Sequence, residues 1–194
     1  MTLGEVRRDA LRLMFAGYED ILEEMTFSEL YQSERYQPYV MSIDMGVNRA
    51  YSYLLSQQLV PQRRLVLPAG QERVDLSTLA PDLGKVLGVE DEEMTPVVYW
   101  MEGTTIVVPF SIDRSLTVRY TPAWTRVTNL TPDSYVLPLD EEVAALIPYW
   151  VKSELYEEEN YAAARSARAY FMEGCAALRA SRGEGARLVV KYGL

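Results

Sequence analysis

The spacing of apolar residues changes twice along this chain, and those changes limit its fold more than any other feature. Up to about residue 58 apolar residues recur every three or four positions, from about 62 to 138 every two, and from 139 to about 182 every three or four again. Separate helical and strand-rich stretches specify an α+β fold, not alternating β/α units. The expected architecture is a helical bundle made of residues 1–61 and 139–182, with a small antiparallel β sandwich or barrel inserted at 62–138 and an extended C-terminal tail at 183–194. No Gly/Ser- or Pro-rich linker flanks the β stretch, so it reads as an insertion and not as a free domain.

Local signals fill in this outline. Thr2-Leu3-Gly4-Glu5 fits a capping box, and Leu3, Val6, Ala10, Leu13 and Met14 follow at helical spacing, predicting a helix from about 3 to 16. The stretch 18–36 reads as loop with a short helical piece. Pro38 suits the first turn of a longer helix striped by Ile43, Val47, Ala50, Leu54 and Leu55, which must end before Pro61. Five short β-branched or aromatic runs follow, RRLVLP, KVLGVE, PVVYWME, TTIVVPF and LTVRYTP, with Glu102-Gly103 as a tight hairpin turn. Asp75 to Pro81 reads as one helical turn.

Residues 140–160, DEEVAALIPYWVKSELYEEEN, place Pro148 inside a helix-forming run. A proline in a helix interior costs about 3 kcal/mol, so a break near 145–147 and a restart with Pro148 in the new first turn are cheaper. Asp140 is the expected N-cap. Asn160 starts a second helix whose Ala164, Ala167, Phe171, Gly174 and Leu178 make a narrow seam of largely small residues, and the two helices form a hairpin. Gly183-Glu184-Gly185 reads as a flexible joint, followed by a strand from Arg187 to Leu194.

The absence of histidine removes Ser-His-Asp and Cys-His arrangements, histidine metal sites and the usual neutral-pH proton shuttle. A single cysteine, Cys175, excludes an internal disulfide framework and reads as structural. No phosphate-binding glycine loop and no CxxC pair occur. The runs Glu90 to Glu93 and Glu157 to Glu159 read as solvated faces, with a metal-assisted hydrolase on the first as a remote reading. The sequence therefore predicts no enzyme and no cofactor. A net charge of −9 gives no attraction to DNA phosphates. There is no apolar run of membrane-spanning length and no signal-peptide pattern, so a cytoplasmic origin is expected.

Three segments resemble the head-to-tail connector, or neck adaptor, family of tailed phages. These are TLGEVRRDALRLM, the helix bearing Ile43 and Val47-Asn48-Arg49-Ala50, and LPLDEEVAALIPYWVKSELYEEEN with AARSARAYFMEGCAAL, about half the chain. The β insertion departs from the smallest, all-helical adaptors and is more similar to the larger ones of short-tailed phages. The resemblance implies a virion protein at the neck, assembled in the host cytoplasm. Its partners would be a portal protein, tail or nozzle proteins, and copies of itself in a closed ring of about twelve. Genomic DNA would pass through without specific binding, and no membrane would be involved.

An abundance of tyrosine, 14 against 4 phenylalanines, fits protein–protein contact or the edge of the protein's own core. The expected partner-binding residues are Tyr149, Trp150 and Tyr156 on the helical hairpin, with Leu188, Val189, Val190, Tyr192 and Leu194 in the tail. The tail either folds back on its own β unit or reaches a neighbouring protein. A different class of function is a non-catalytic module whose β unit holds a carbohydrate or peptide through Tyr99, Trp100 and Trp124. Strand alternation puts Tyr99 and Trp100 on opposite faces, which weakens that reading.

Overall fold

The computed structural model describes residues 1–15, 26–108 and 113–187. The chain is α+β and divides into two compact units, one built from residues 1–60 and 126 onwards, the other from 61–125.

The first unit is helical. Helix α1, Leu3–Met14, opens with the expected capping box: the Thr2 hydroxyl accepts from the Glu5 amide, and the Glu5 carboxylate accepts from the Thr2 amide. A second box, Thr26 with Glu29, opens the short helix α2, Phe27–Gln32. Helix α3, Gln37–Ser56, has Pro38 in its first turn. It ends before Pro61 is reached. Gln58 turns left-handed at φ 58°, its amide bonds Leu55 O, and the Leu59 amide bonds Leu54 O. That pair of bonds is a Schellman stop, closed by the buried Leu54 and Leu59. Ile43, Val47, Ala50 and Leu54 are buried as their spacing requires, but Leu55 turns outward.

The chain returns to the helical unit at Arg126, thirteen residues earlier than the 139 expected from periodicity. Residues 126–137 have no helical period, yet long-range polar contacts fix them. Thr2 bridges Val136, and the Leu3 and Gly4 amides donate to Tyr135 O and Asp133 O. Asn48 accepts from the Val127 amide and donates to Val127 O.

Arg7 completes this clip from α1. Its guanidinium takes Asp44 in a two-pronged grip, Nε to Oδ1 at 2.9 Å and Nη2 to Oδ2 at 2.8 Å. It also donates to Asp133 Oδ1, Thr131 O and Thr128 O. Burial works against the charge, but Asp44 and Asp133 together hold the Arg7 pKa above its ordinary value.

The last helices follow the expected plan. Helix α4, Glu141–Ala144, stops, and α5, Ile147–Leu155, restarts with Pro148 in its first turn. Helix α6, Tyr161–Arg187, then runs back along α5. This corrects the joint expected at Gly183-Glu184-Gly185, which lies inside α6. Two glycines cost a helix only about 2 kcal/mol together, so they weaken it without breaking it. The remaining tail residues, 188–194, lie outside the described residues.

The second unit carries strands β1 (Arg63–Leu67), β2 (Arg73–Asp75), β3 (Leu83–Glu90), β4 (Trp100–Glu102), β5 (Thr105–Val107) and β6 (Leu116–Pro122). They form two three-stranded antiparallel sheets, β1-β6-β3 and β2-β5-β4, with no closed barrel. Strand β2 was not expected, because three residues are too few to show alternation. The β4–β5 hairpin turns on Gly103 at φ +64°, with Glu102 still paired to Thr105. The single helical turn appears at Leu76–Thr78, capped by Asp75. Both sheets contribute to one hydrophobic cluster that includes Leu67, Val74, Val89, Ile106 and Val118.

Candidate functional site

The expected partner-binding residues of the described chain sit on the α5–α6 hairpin. Its turn is Glu157 to Asn160, all exposed, and Asn160 caps α6 by accepting from the Ala163 amide at 3.1 Å. The far end is tied differently. Asp140 has the extended backbone of an N-cap, but its carboxylate makes no cap bond and instead takes Arg182 of α6, whose other amino group donates to Leu59 O. The seam between the helices is dry: Ala164, Ala167, Phe171 and Cys175 are buried, and Gly174 leaves room for Leu146. Burial pushes the Cys175 thiol up to about 11, an unreactive state.

Trp150 faces inward, which corrects its assignment as an accessible contact. It is 9% exposed and packs against Tyr53 at 5.1 Å and Phe171 at 4.9 Å. The Arg168 guanidinium lies 3.9 Å from its ring centroid, a cation–π contact. Tyr156 is also committed internally, because its hydroxyl donates to Met14 O. Beside it Lys152 donates to Leu13 O at 2.6 Å, so both side chains satisfy carbonyls left over at the end of α1.

Tyr149 differs. It stacks on Tyr170 of α6, ring centroids 4.1 Å apart, and Tyr170 is 53% exposed. Burial, then the neighbouring Tyr170 hydroxyl, raises the Tyr149 pKa. The half-buried Tyr149 ring backs the exposed Tyr170 ring, and together they offer a rigid amphipathic surface. Tyr170 was not singled out in the sequence, although its place one residue before the buried Phe171 puts it at the edge of the seam.

The tyrosines of residues 36–53 divide in the same way. Tyr36 and Tyr51 belong to the core, Tyr53 completes the Trp150 cluster, and Tyr39 donates to Glu159 at 2.8 Å. In the β unit Tyr99 packs on the core while Trp100 is exposed on the opposite face, its indole donating to Glu102.

The acidic run Glu90 to Glu93 is organised by local contacts. Asp91 accepts from the Glu93 and Thr95 amides, Glu92 from Ser115, Glu90 pairs with Arg119, and Glu93 with Arg114. Among the described residues no group of three or more carboxylates, cysteines or histidines could hold a metal. None of the described helices is long and apolar enough to cross a membrane. The dispersed Arg63, Arg73 and Arg114 each pair with a carboxylate. No known protein family and no curated protein matches this chain.

Proposed function

We propose that this protein is a structural adaptor of a tailed-phage neck, a ring protein that joins the portal to the tail while genomic DNA passes through. Its partners in this reading are a portal protein, tail or nozzle proteins and further copies of the chain. The observation that carries the reading is the α5–α6 hairpin. It restarts at Pro148, is clamped at Arg182, and presents the exposed Tyr170 stacked on the half-buried Tyr149. Rigid helical hairpins with exposed aromatics suit docking to other proteins. The buried Arg7 and Asp44 and the half-buried Asn48 serve the protein's own fold, so they are not spare chemistry.

The test is co-sedimentation with the portal protein of the same genome. Tyr170→Ala should weaken capture at least tenfold without lowering thermal stability, and duplex DNA at physiological salt should compete poorly. Capture by DNA instead of portal, with a steep salt dependence, would replace the adaptor by a DNA-binding protein.

One observation favours the alternative of a peptide-binding β unit. Val98 and Trp100 stand outward two residues apart on one extended stretch, 74% and 44% exposed. Titration with a hydrophobic peptide library, read by Trp100 fluorescence, separates the two readings.

A further inference from the structure

Tyr161, Ala164, Arg165 and Arg168 recur along α6 at the spacing of one helix face. With Ser153 and Glu157 they line a groove of about 300 Å³ on the α5–α6 hairpin. Ser153 and Ala164 are buried, while Glu157, Tyr161 and Arg165 are exposed. The Ser153 hydroxyl already donates to Trp150 O at 2.7 Å, so the free polar chemistry of the groove lies in its charged groups.

Arg168 is fixed without being neutralised. Its guanidinium lies 3.9 Å from the centroid of the Trp150 ring, and that ring is itself wedged between Tyr53 and Phe171. Stacking uses the face of a guanidinium and leaves the N–H donors in its plane available. Among the described residues no acceptor takes the donors of Arg168 or of Arg165. Glu154 of α5 pairs instead with Arg49 of α3, at 3.6 Å. Arg63, Arg73, Arg114, Arg119 and Arg182 all pair with carboxylates. In an acidic chain, two neighbouring arginines left without one, and lining the same groove, mark a place for an outside anion. A side chain already held in place also loses little freedom on binding.

We propose that this groove takes a carboxylate side chain from an acidic segment of a partner protein, with Arg168 and Arg165 donating to its oxygens and Tyr161 packing against the residues beside it. The planar N–H fork of arginine matches a carboxylate in two-pronged geometry. The exposed rim suits a side chain presented by a polypeptide, whereas a small-molecule site buries most of its ligand. Glu157 lines the same groove and opposes the incoming charge, so it lowers affinity and favours a segment that brings a correctly placed carboxylate. The inference rests on the α5–α6 hairpin as a docking element, and adds that the partner is acidic where it meets this groove.

Fluorescence anisotropy of a labelled peptide of alternating Glu and Ala, titrated with the full chain at low ionic strength, tests it without any portal protein. The same peptide with Gln in place of Glu should bind at least about tenfold more weakly. Arg165→Gln and Arg168→Lys should each weaken the acidic peptide about tenfold. Arg168→Lys keeps the charge, so a loss at unchanged melting temperature reports the planar fork and not the cover over Trp150. Glu157→Gln should tighten binding, whereas a groove for a cation would be weakened by it. Tyr170→Ala should leave peptide affinity unchanged, because Tyr170 stacks on Tyr149 and does not line the groove. No preference for the acidic peptide, binding that both arginine variants leave intact, or inorganic phosphate occupying the groove ahead of the peptide overturns the proposal. Portal capture that persists without peptide binding removes this inference and leaves the adaptor reading standing; peptide binding without portal capture does the converse.

Discussion

Replacing Arg7 with alanine should unfold the helical unit more readily than any surface substitution. The side chain is buried, and it donates five hydrogen bonds, three to the carboxylates of Asp44 and Asp133 and two to the carbonyls of Thr128 and Thr131. Asp44, 7% exposed, would lose its counter-charge. Breaking a buried pair from one side costs about 3–5 kcal/mol, against a total stability of about 5–15 kcal/mol for a domain. Urea unfolding followed by circular dichroism should show that loss, with little change on adding salt, because the pair is shielded from ions. Amide exchange should accelerate at residues 127–133, whose anchors are gone. The double variant Arg7→Met with Asp44→Leu should recover most of the lost stability, since no buried charge is then left alone. A loss under about 1 kcal/mol in Arg7→Ala would refute the claim that this clip organises the unit.

Three further outcomes follow from particular contacts. The Tyr39 hydroxyl is held by Glu159, which with burial raises its pKa from 10.0 to about 12. A raised pKa favours the neutral form in the fold, so the contribution is fully present below pH 10 and lost as pH rises towards 12; the stability difference between wild type and Tyr39→Phe should shrink over that window. Cys175 should resist a thiol reagent at pH 8 until denaturant is added, and Cys175→Ala should leave portal capture unchanged, whereas rapid labelling of the native protein would contradict its buried place in the seam. Pro148→Ala supplies an amide that can reach Ala144 O and join α4 to α5; stability should change by no more than about 1 kcal/mol, while portal capture should fall as the Tyr149–Tyr170 pair is re-aimed.

Much of the helical unit was legible because its signals are local. The Thr2–Glu5 box, Pro38 in a first turn, the restart at Pro148 and the Asn160 cap each involve residues within four positions of one another. What escaped depends on partners far away in sequence. Residues 126–138 looked like part of the β unit because nothing nearby shows that Arg7 and Asn48 anchor them. One hint was present: Arg7 interrupts the apolar stripe of Leu3 and Leu11, and a charge on a core-facing position needs a buried partner. Trp150 and Tyr156 read as contacts because aromatics serve cores and interfaces alike. Only the positions of Phe171, Arg168 and Met14 decide which. Gly183-Glu184-Gly185 was over-read, since glycine lowers helix propensity without dictating a stop.

The most direct test of the adaptor reading is electron microscopy of the purified portal protein mixed with this chain. The account predicts a ring of added density on the tail-facing side of the portal, with the α5–α6 hairpin at the contact, and its loss with Tyr170→Ala. Bare portal rings after mixing at saturating concentration, with both proteins folded, would contradict it.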